Sequence, residues 1–230
     1  MSLFLFNPEP PQPVVHLAID PQTRFLAALR DPQRRQAFTW DLRSFADTLA
    51  GLGLPTVWLA FWNKDEALST GLYRSLDGDD RWARNNFTPC VARTTLFHQA
   101  QLTDVEPKRS EIIIVKSEDD AFSCSCGLAE LLCHWQTRDV LVSGMNTGSC
   151  VAATLHGALA LKRGLRLWPV YNLMADATEA WAPRDPDPDA HRLFLEKEFQ
   201  AEPAVRPLMR HEALRTFAPP KPASSTFTPR

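Results

Sequence analysis

The chain has 230 residues, 44% hydrophobic and 23% charged, enough to bury one substantial core in a single large domain. Its formal net charge of −2 excludes the broad basic field on which nucleic-acid binding relies. No apolar run approaches the ~20 residues of a membrane span, so no membrane partner is expected.

The first six residues, Met1 to Phe6, carry no basic leader and too short an apolar run for a signal peptide, so a cytoplasmic protein is expected. Ten of the nineteen prolines cluster at the two ends, within 8–13 and 203–229. They suggest a flexible segment over 1–12, a folded domain over 13–202 and a Pro-rich tail over 203–230. The first element is a buried strand, Val14 to Ile19, stopped by Asp20-Pro21. A helix over 33–51 follows, with Phe38, Leu42, Phe45 and Leu49 on one stripe and Gly51 and Gly53 closing it. A second strand runs from Thr56 to Trp62. Residues 63–110 show no clean periodicity, a length that in a compact domain marks a functional loop or short unassigned elements. Glu111 to Val115 reads as a strand ending at Lys116, 125–137 as a helix, and Asp139 to Gly144 as another strand. A small polar turn then leads to Cys150, which starts a helix running to Arg163. Lys162, Arg163 and Gly164 are suitable residues for its end. Leu165 to Met174 forms a further strand, and 188–201 the last helix.

Strands alternating with helices imply an α/β fold with a parallel sheet. Ligands of such sheets bind beyond the carboxyl ends of the strands. Three reactive side chains fall on that rim: Asp20, Lys116 and Cys150. Taken singly, an Asp before Pro is a turn former, a Lys after a strand a solvated charge, and a Cys a small core hydrophobe. Together they suit acyl transfer. The helix N-terminus and the lysine would lower the thiol pKa, the carboxylate would move the proton, and N–H groups of the preceding turn would hold an oxyanion.

These residues carry a resemblance. Asp20-Pro21-Gln22-Thr23-Arg24-Phe25 resembles the D-x-Q-x-x-F opening of the isochorismatase-like cysteine hydrolases. Lys116 trailed by Ala121-Phe122 is similar to their lysine strand. Gly144-Met145-Asn146-Thr147-Gly148-Ser149-Cys150-Val151-Ala152-Ala153-Thr154 resembles their nucleophile segment, and Gly164 and Asp176 match the strand after it. The resemblance covers about 14–180. It implies a three-layer α/β/α sandwich with a mostly parallel, about six-stranded sheet, and a triad of Asp20, Lys116 and Cys150. It also implies a cis peptide at Met145–Asn146, an oxyanion site at Asn146 and Cys150 N–H, and a turn fixed by Thr147. Amide- or ureide-like C–N cleavage of a small molecule would follow, in a homo-oligomer.

The chain departs from the family in two places. Trp62-Asn63-Lys64-Asp65-Glu66 lacks the histidines of metal-bearing members, so neither catalytic metal nor cofactor is expected. Pro89-Cys90-Val91-Ala92-Arg93-Thr94 carries Arg where Gly is usual. Gln22, Phe25, Trp62, Trp82 and Arg93 are the candidate substrate-pocket residues, the tryptophans for a planar substrate and Arg93 for a carboxylate. Cys124-Ser125-Cys126 with Cys133-His134 lacks a C-x-x-C knuckle and reads as helix rather than zinc site. The alternative reading is a non-catalytic binding or assembly protein on the same fold.

Overall fold

A computed structural model describes residues 12–61, 71–76, 91–92, 101–108, 111–123, 126–161, 163–176 and 187–218. The strands are β1 (Val14–Ile19), β2 (Thr56–Phe61), β3 (Gly71–Leu76), β4 (Val91–Ala92), β5 (Ile112–Lys116), β6 (Asp139–Met145) and β7 (Arg166–Ala175). The helices are α1 (Thr23–Leu26), α2 (Pro32–Gly51), α3 (Leu128–His134), α4 (Ala152–Ala160), α5 (Pro188–Glu198) and α6 (Arg210–Phe217). The sheet order is β4-β3-β5-β2-β1-β6-β7. Five strands, β5, β2, β1, β6 and β7, form the parallel core rather than about six. Beyond β5, β3 pairs antiparallel and the short β4 follows it. Both lie in the stretch for which the sequence predicts no regular element.

The parallel strands are apolar and β-branched, and buried along most of their length, as expected of a sheet covered on both faces. The alternation of side chains sorts them between two cores. Val15, Leu17 and Ile19 of β1 join Leu131, Leu132, Leu155 and Leu195 of α3, α4 and α5. Ala18 faces the opposite way, with Leu42 and Ala46 of α2. Farther along that second face, Phe45 and Leu49 of α2 meet Leu141, Val170 and Ala213 of α6. The result is the expected α/β/α layering. α2 starts where Asp31 caps the Gln33 N–H at 2.9 Å and Pro32 takes the first turn.

His16 fastens three strands. Its Nε2 lies 2.7 Å from Ser143 Oγ on β6 and its Nδ1 lies 3.1 Å from Thr56 Oγ1 on β2. Burial, assisted by Arg43, pushes its pKa down to about 3, so it is neutral at physiological pH.

Residues 203–208, assigned from sequence to the Pro-rich tail, pair with β7 through Val205 and Leu208, and α6 packs beyond them. The folded unit therefore continues past 202, because β7 needs an edge partner and an apolar cover. Among the described residues, no helix is long and apolar enough to cross a membrane.

Candidate active site

The carboxyl ends of β1, β5 and β6 meet at one rim. There the connections leaving β1 and β6 diverge to opposite faces of the sheet, the position where α/β sheets open a crevice. Asp20 follows β1 directly. Its φ of 47° is one that an Asp tolerates better than most side chains, and its N–H donates to Leu59 O at 3.0 Å. Lys116 ends β5, and its Nζ lies 2.8 Å from Asp20 Oδ2, with both side chains fully buried. The same ammonium donates to the carbonyls of Glu118 and Asp119 at 3.0 and 3.2 Å and lies 4.9 Å from the centroid of the Phe61 ring.

Cys150 is buried at the same rim, close enough to the Asp20 carboxylate to feel its charge. It does not start an α-helix as the sequence suggests. It sits inside a π-helical turn, Thr147–Val151, and α4 begins at Ala152. The wider turn arises because the Asn146 carbonyl accepts from the N–H groups of both Ser149 and Val151, each at 3.1 Å. Just before it, the Met145–Asn146 peptide is cis. Thr147 Oγ1 lies 2.9 Å from His191 Nδ1, and the Gly148 N–H donates to Asp176 Oδ2 at 3.0 Å. Both anchoring residues lie behind the turn, Asp176 after β7 and His191 on α5.

No protein-family model and no curated protein matches the sequence, whereas solved structures match nearly all of the chain. An isochorismatase family protein from Desulfovibrio vulgaris superposes with a TM-score of 0.59 at 16% identity, covering 90% of this chain and 100% of that one. A cysteine hydrolase from Pseudomonas syringae gives 0.58 at 13% identity, covering 94% and 97%. An isochorismatase-like hydrolase from Alkaliphilus metalliredigens gives 0.57 at 15%, covering 89% and 98%. The chain has the isochorismatase-like fold.

Within that fold, the electrostatics at the rim differ from the sequence expectation. Burial and the neighbouring carboxylates of Asp20 and Asp119 push the Cys150 thiol up, outweighing Lys116, rather than down as a helix N-terminus would. Burial likewise raises the Asp20 carboxyl, against the pull of Lys116. Burial works to lower Lys116, but the charge of Asp20 and its hydrogen bond outweigh it and hold the ammonium above its usual range. In the resting site the thiol keeps its proton, beside a carboxylate that can take it and a cation that stays charged.

The candidate pocket residues divide. Gln22 is fully buried and clamps the end of β2. Its Oε1 accepts from the Phe61 N–H at 2.7 Å and its Nε2 donates to the Phe61 carbonyl at 3.2 Å. Phe25 packs half-buried against Leu26, Leu29, Met145 and Ala175. These contacts make both residues supports of the rim. Trp62, Trp82 and Arg93 lie outside the described residues. Of the residues weighed for zinc, Cys126 is a core thiol donating to the Ala121 carbonyl at 3.2 Å, Cys133 is exposed, and Cys124 lies outside the described residues.

Sequence reasoning missed Asp119 and Arg24. Asp119 Oδ1 accepts from the Cys150 thiol at 3.4 Å, and Oδ2 accepts from Ser149 Oγ at 3.0 Å. Its only sequence signal is the acidic run Glu118-Asp119-Asp120 just after the lysine. Arg24 donates to the Phe61 carbonyl at 2.6 Å and stacks 4.8 Å from the Phe25 centroid.

Proposed function

We propose that this protein is a cysteine hydrolase of the isochorismatase-like family that cleaves an amide- or ureide-like C–N bond of a small molecule. The observation that carries this reading is the buried Asp20–Lys116 ion pair, 2.8 Å long, beside the Cys150 thiol. Two buried charges need a strong reason to be there, and acyl transfer supplies one. Asp20 takes the thiol proton as sulfur attacks the carbonyl carbon. The tetrahedral intermediate collapses, the C–N bond breaks, and Asp20 returns the proton to the departing amine. Water then attacks the thioester, giving a proton to Asp20, which passes it to the leaving thiolate. Lys116 remains cationic throughout and favours the ionised form of Asp20.

The oxyanion falls to the Cys150 N–H, with Asn146 beside it. Three other N–H groups of the turn are committed: Gly148 to Asp176, and Ser149 and Val151 to Asn146 O. Side chains carry every proton and acyl step, so the scheme calls for no cofactor.

The decisive experiment is hydrolysis of a small amide and ureide panel by the wild type and by Cys150→Ala, which deletes the sulfur and leaves a residue that fits. Turnover by the wild type and its loss in the variant, with an unchanged unfolding temperature, is the expected outcome. Full turnover by Cys150→Ala would refute the thioester route.

A further inference from the structure

We propose that Asp119 is a specificity-determining residue that selects substrates carrying a positive charge beside the scissile carbonyl, such as amides of ammonium- or guanidinium-bearing small molecules. This assignment rests on the reading of Cys150 as the nucleophile. Asp119 differs from Asp20 in every respect that matters for binding. Asp20 is sealed in the sheet and neutralised by Lys116, whereas Asp119 is exposed. Its two oxygens engage consecutive residues, Ser149 Oγ at 3.0 Å and Cys150 Sγ at 3.4 Å. The carboxylate therefore lies at the solvent side of the reacting sulfur.

The loop holds it there firmly. The Asp119 carbonyl accepts from Lys116 Nζ at 3.2 Å and from Thr154 Oγ1 at 3.3 Å. The next residue, Asp120, accepts from the Phe122 N–H at 2.8 Å and rests against Gly157, where a Cβ would come within 2.0 Å of its Oδ1.

Charge balance completes the argument. Asp20 and Lys116 cancel, and among the described residues no cationic side chain forms an ion pair with Asp119. The Arg24 guanidinium is held by the Phe61 carbonyl and over the Phe25 ring. A substrate carbonyl that reaches Cys150 thus brings its neighbouring groups against an exposed carboxylate that no described cation pairs with. N–H donors and cations are attracted there and carboxylates repelled. The same carboxylate would stabilise an amine that gains positive charge as it leaves.

Charged methanethiosulfonates test this without a known substrate. In each, the Cys150 thiolate attacks the sulfenyl sulfur, forming a disulfide and expelling methanesulfinate. The rates for a trimethylammonium-ethyl, a sulfonato-ethyl and a neutral methyl reagent are measured on the full chain, following the Cys150 peptide by mass spectrometry, with 2-mercaptoethanol as the reference thiol. The cationic-to-anionic rate ratio cancels changes in thiolate fraction. It should exceed the reference ratio by about tenfold, a Coulombic effect of ordinary size at a half-screened site. It should fall to within about threefold of the reference in Asp119→Asn, and likewise in Asp119→Ala. A ratio equal to the reference, or a raised ratio that survives both substitutions, would overturn the assignment while leaving the nucleophile standing. A Cys150 that does not react even with the neutral reagent would overturn both.

Discussion

At the scale of single residues, the site is a contest between burial and charge, in which Lys116 opposes burial at both Asp20 and Cys150. Burial raises the Asp20 carboxyl and Lys116 pulls it down. Replacing Lys116 by Met keeps the stem and deletes the charge, so burial acts unopposed and the Asp20 pKa rises further. A base must be ionised to act, so the acid limb of the pH–rate profile should move to higher pH in Lys116→Met. Activity should be weak at neutrality and recover as the medium turns alkaline. The measurement is the rate of Cys150 alkylation by iodoacetamide, or of hydrolysis, between pH 5 and 10. An acid limb that stays in place would mean that Lys116 does not support the ionised carboxylate.

At the scale of elements, the close approach of β1 and β6 brings Asp20 and the Cys150 turn together. Gly144 is paired with Ile19, has a φ of +117°, and has no room for a Cβ, which would lie 2.0 Å from Ile19 O. That obstacle is backbone and cannot swing away. Gly144→Ala should therefore destabilise the protein by roughly 3–5 kcal/mol, near the top of the range for single substitutions. Denaturant unfolding gives the loss, and alkylation of Cys150 should slow in the same variant because Asp20 directly follows Ile19. Much at this scale is legible in the sequence. Apolar runs mark β1, β2, β5, β6 and β7, the 3.6-residue stripe marks α2, and the strand ends set Asp20, Lys116 and the Cys150 segment on one rim. What escapes depends on distant partners. β3 has no apolar run and takes its place from antiparallel pairing with β5. The π turn is set by two donors converging on the Asn146 carbonyl. Asp119 sits in an acidic run that reads as a solvated face. Thr154, which bridges the Asp119 carbonyl and the Ala121 N–H at 3.3 Å each, ties that loop to the nucleophile helix.

At the scale of the whole molecule, the question is where the fold ends, and the β7 edge answers it. An uncovered edge strand offers unpaired N–H and C=O groups to other chains. Here the segment after α5 occupies it: Leu167 N–H donates to Ala204 O at 2.7 Å, Arg206 N–H to Leu167 O at 2.8 Å, and Leu208 N–H to Pro169 O at 2.9 Å. The segment also fills the second core. Leu208 and Ala213 are buried against Leu141, Val170 and Leu173, with Leu214 and Phe217 packed beside them, while Val205 is buried in the core on the opposite face. Burial of a Val or Leu contributes about 2 kcal/mol, and a domain has only about 5–15 kcal/mol in total. A chain ended at Glu202 loses Val205, Leu208 and α6 together, exposes the core they cover and frees the β7 edge. It should unfold at a markedly lower temperature than the full chain and aggregate on standing, as read by thermal melts and light scattering. Leu208→Ala in the full chain leaves the edge pairing intact and should lose about 2–4 kcal/mol from the cavity alone. A truncated chain as stable as the full one would mean that residues 203–218 lie on the domain without holding it together.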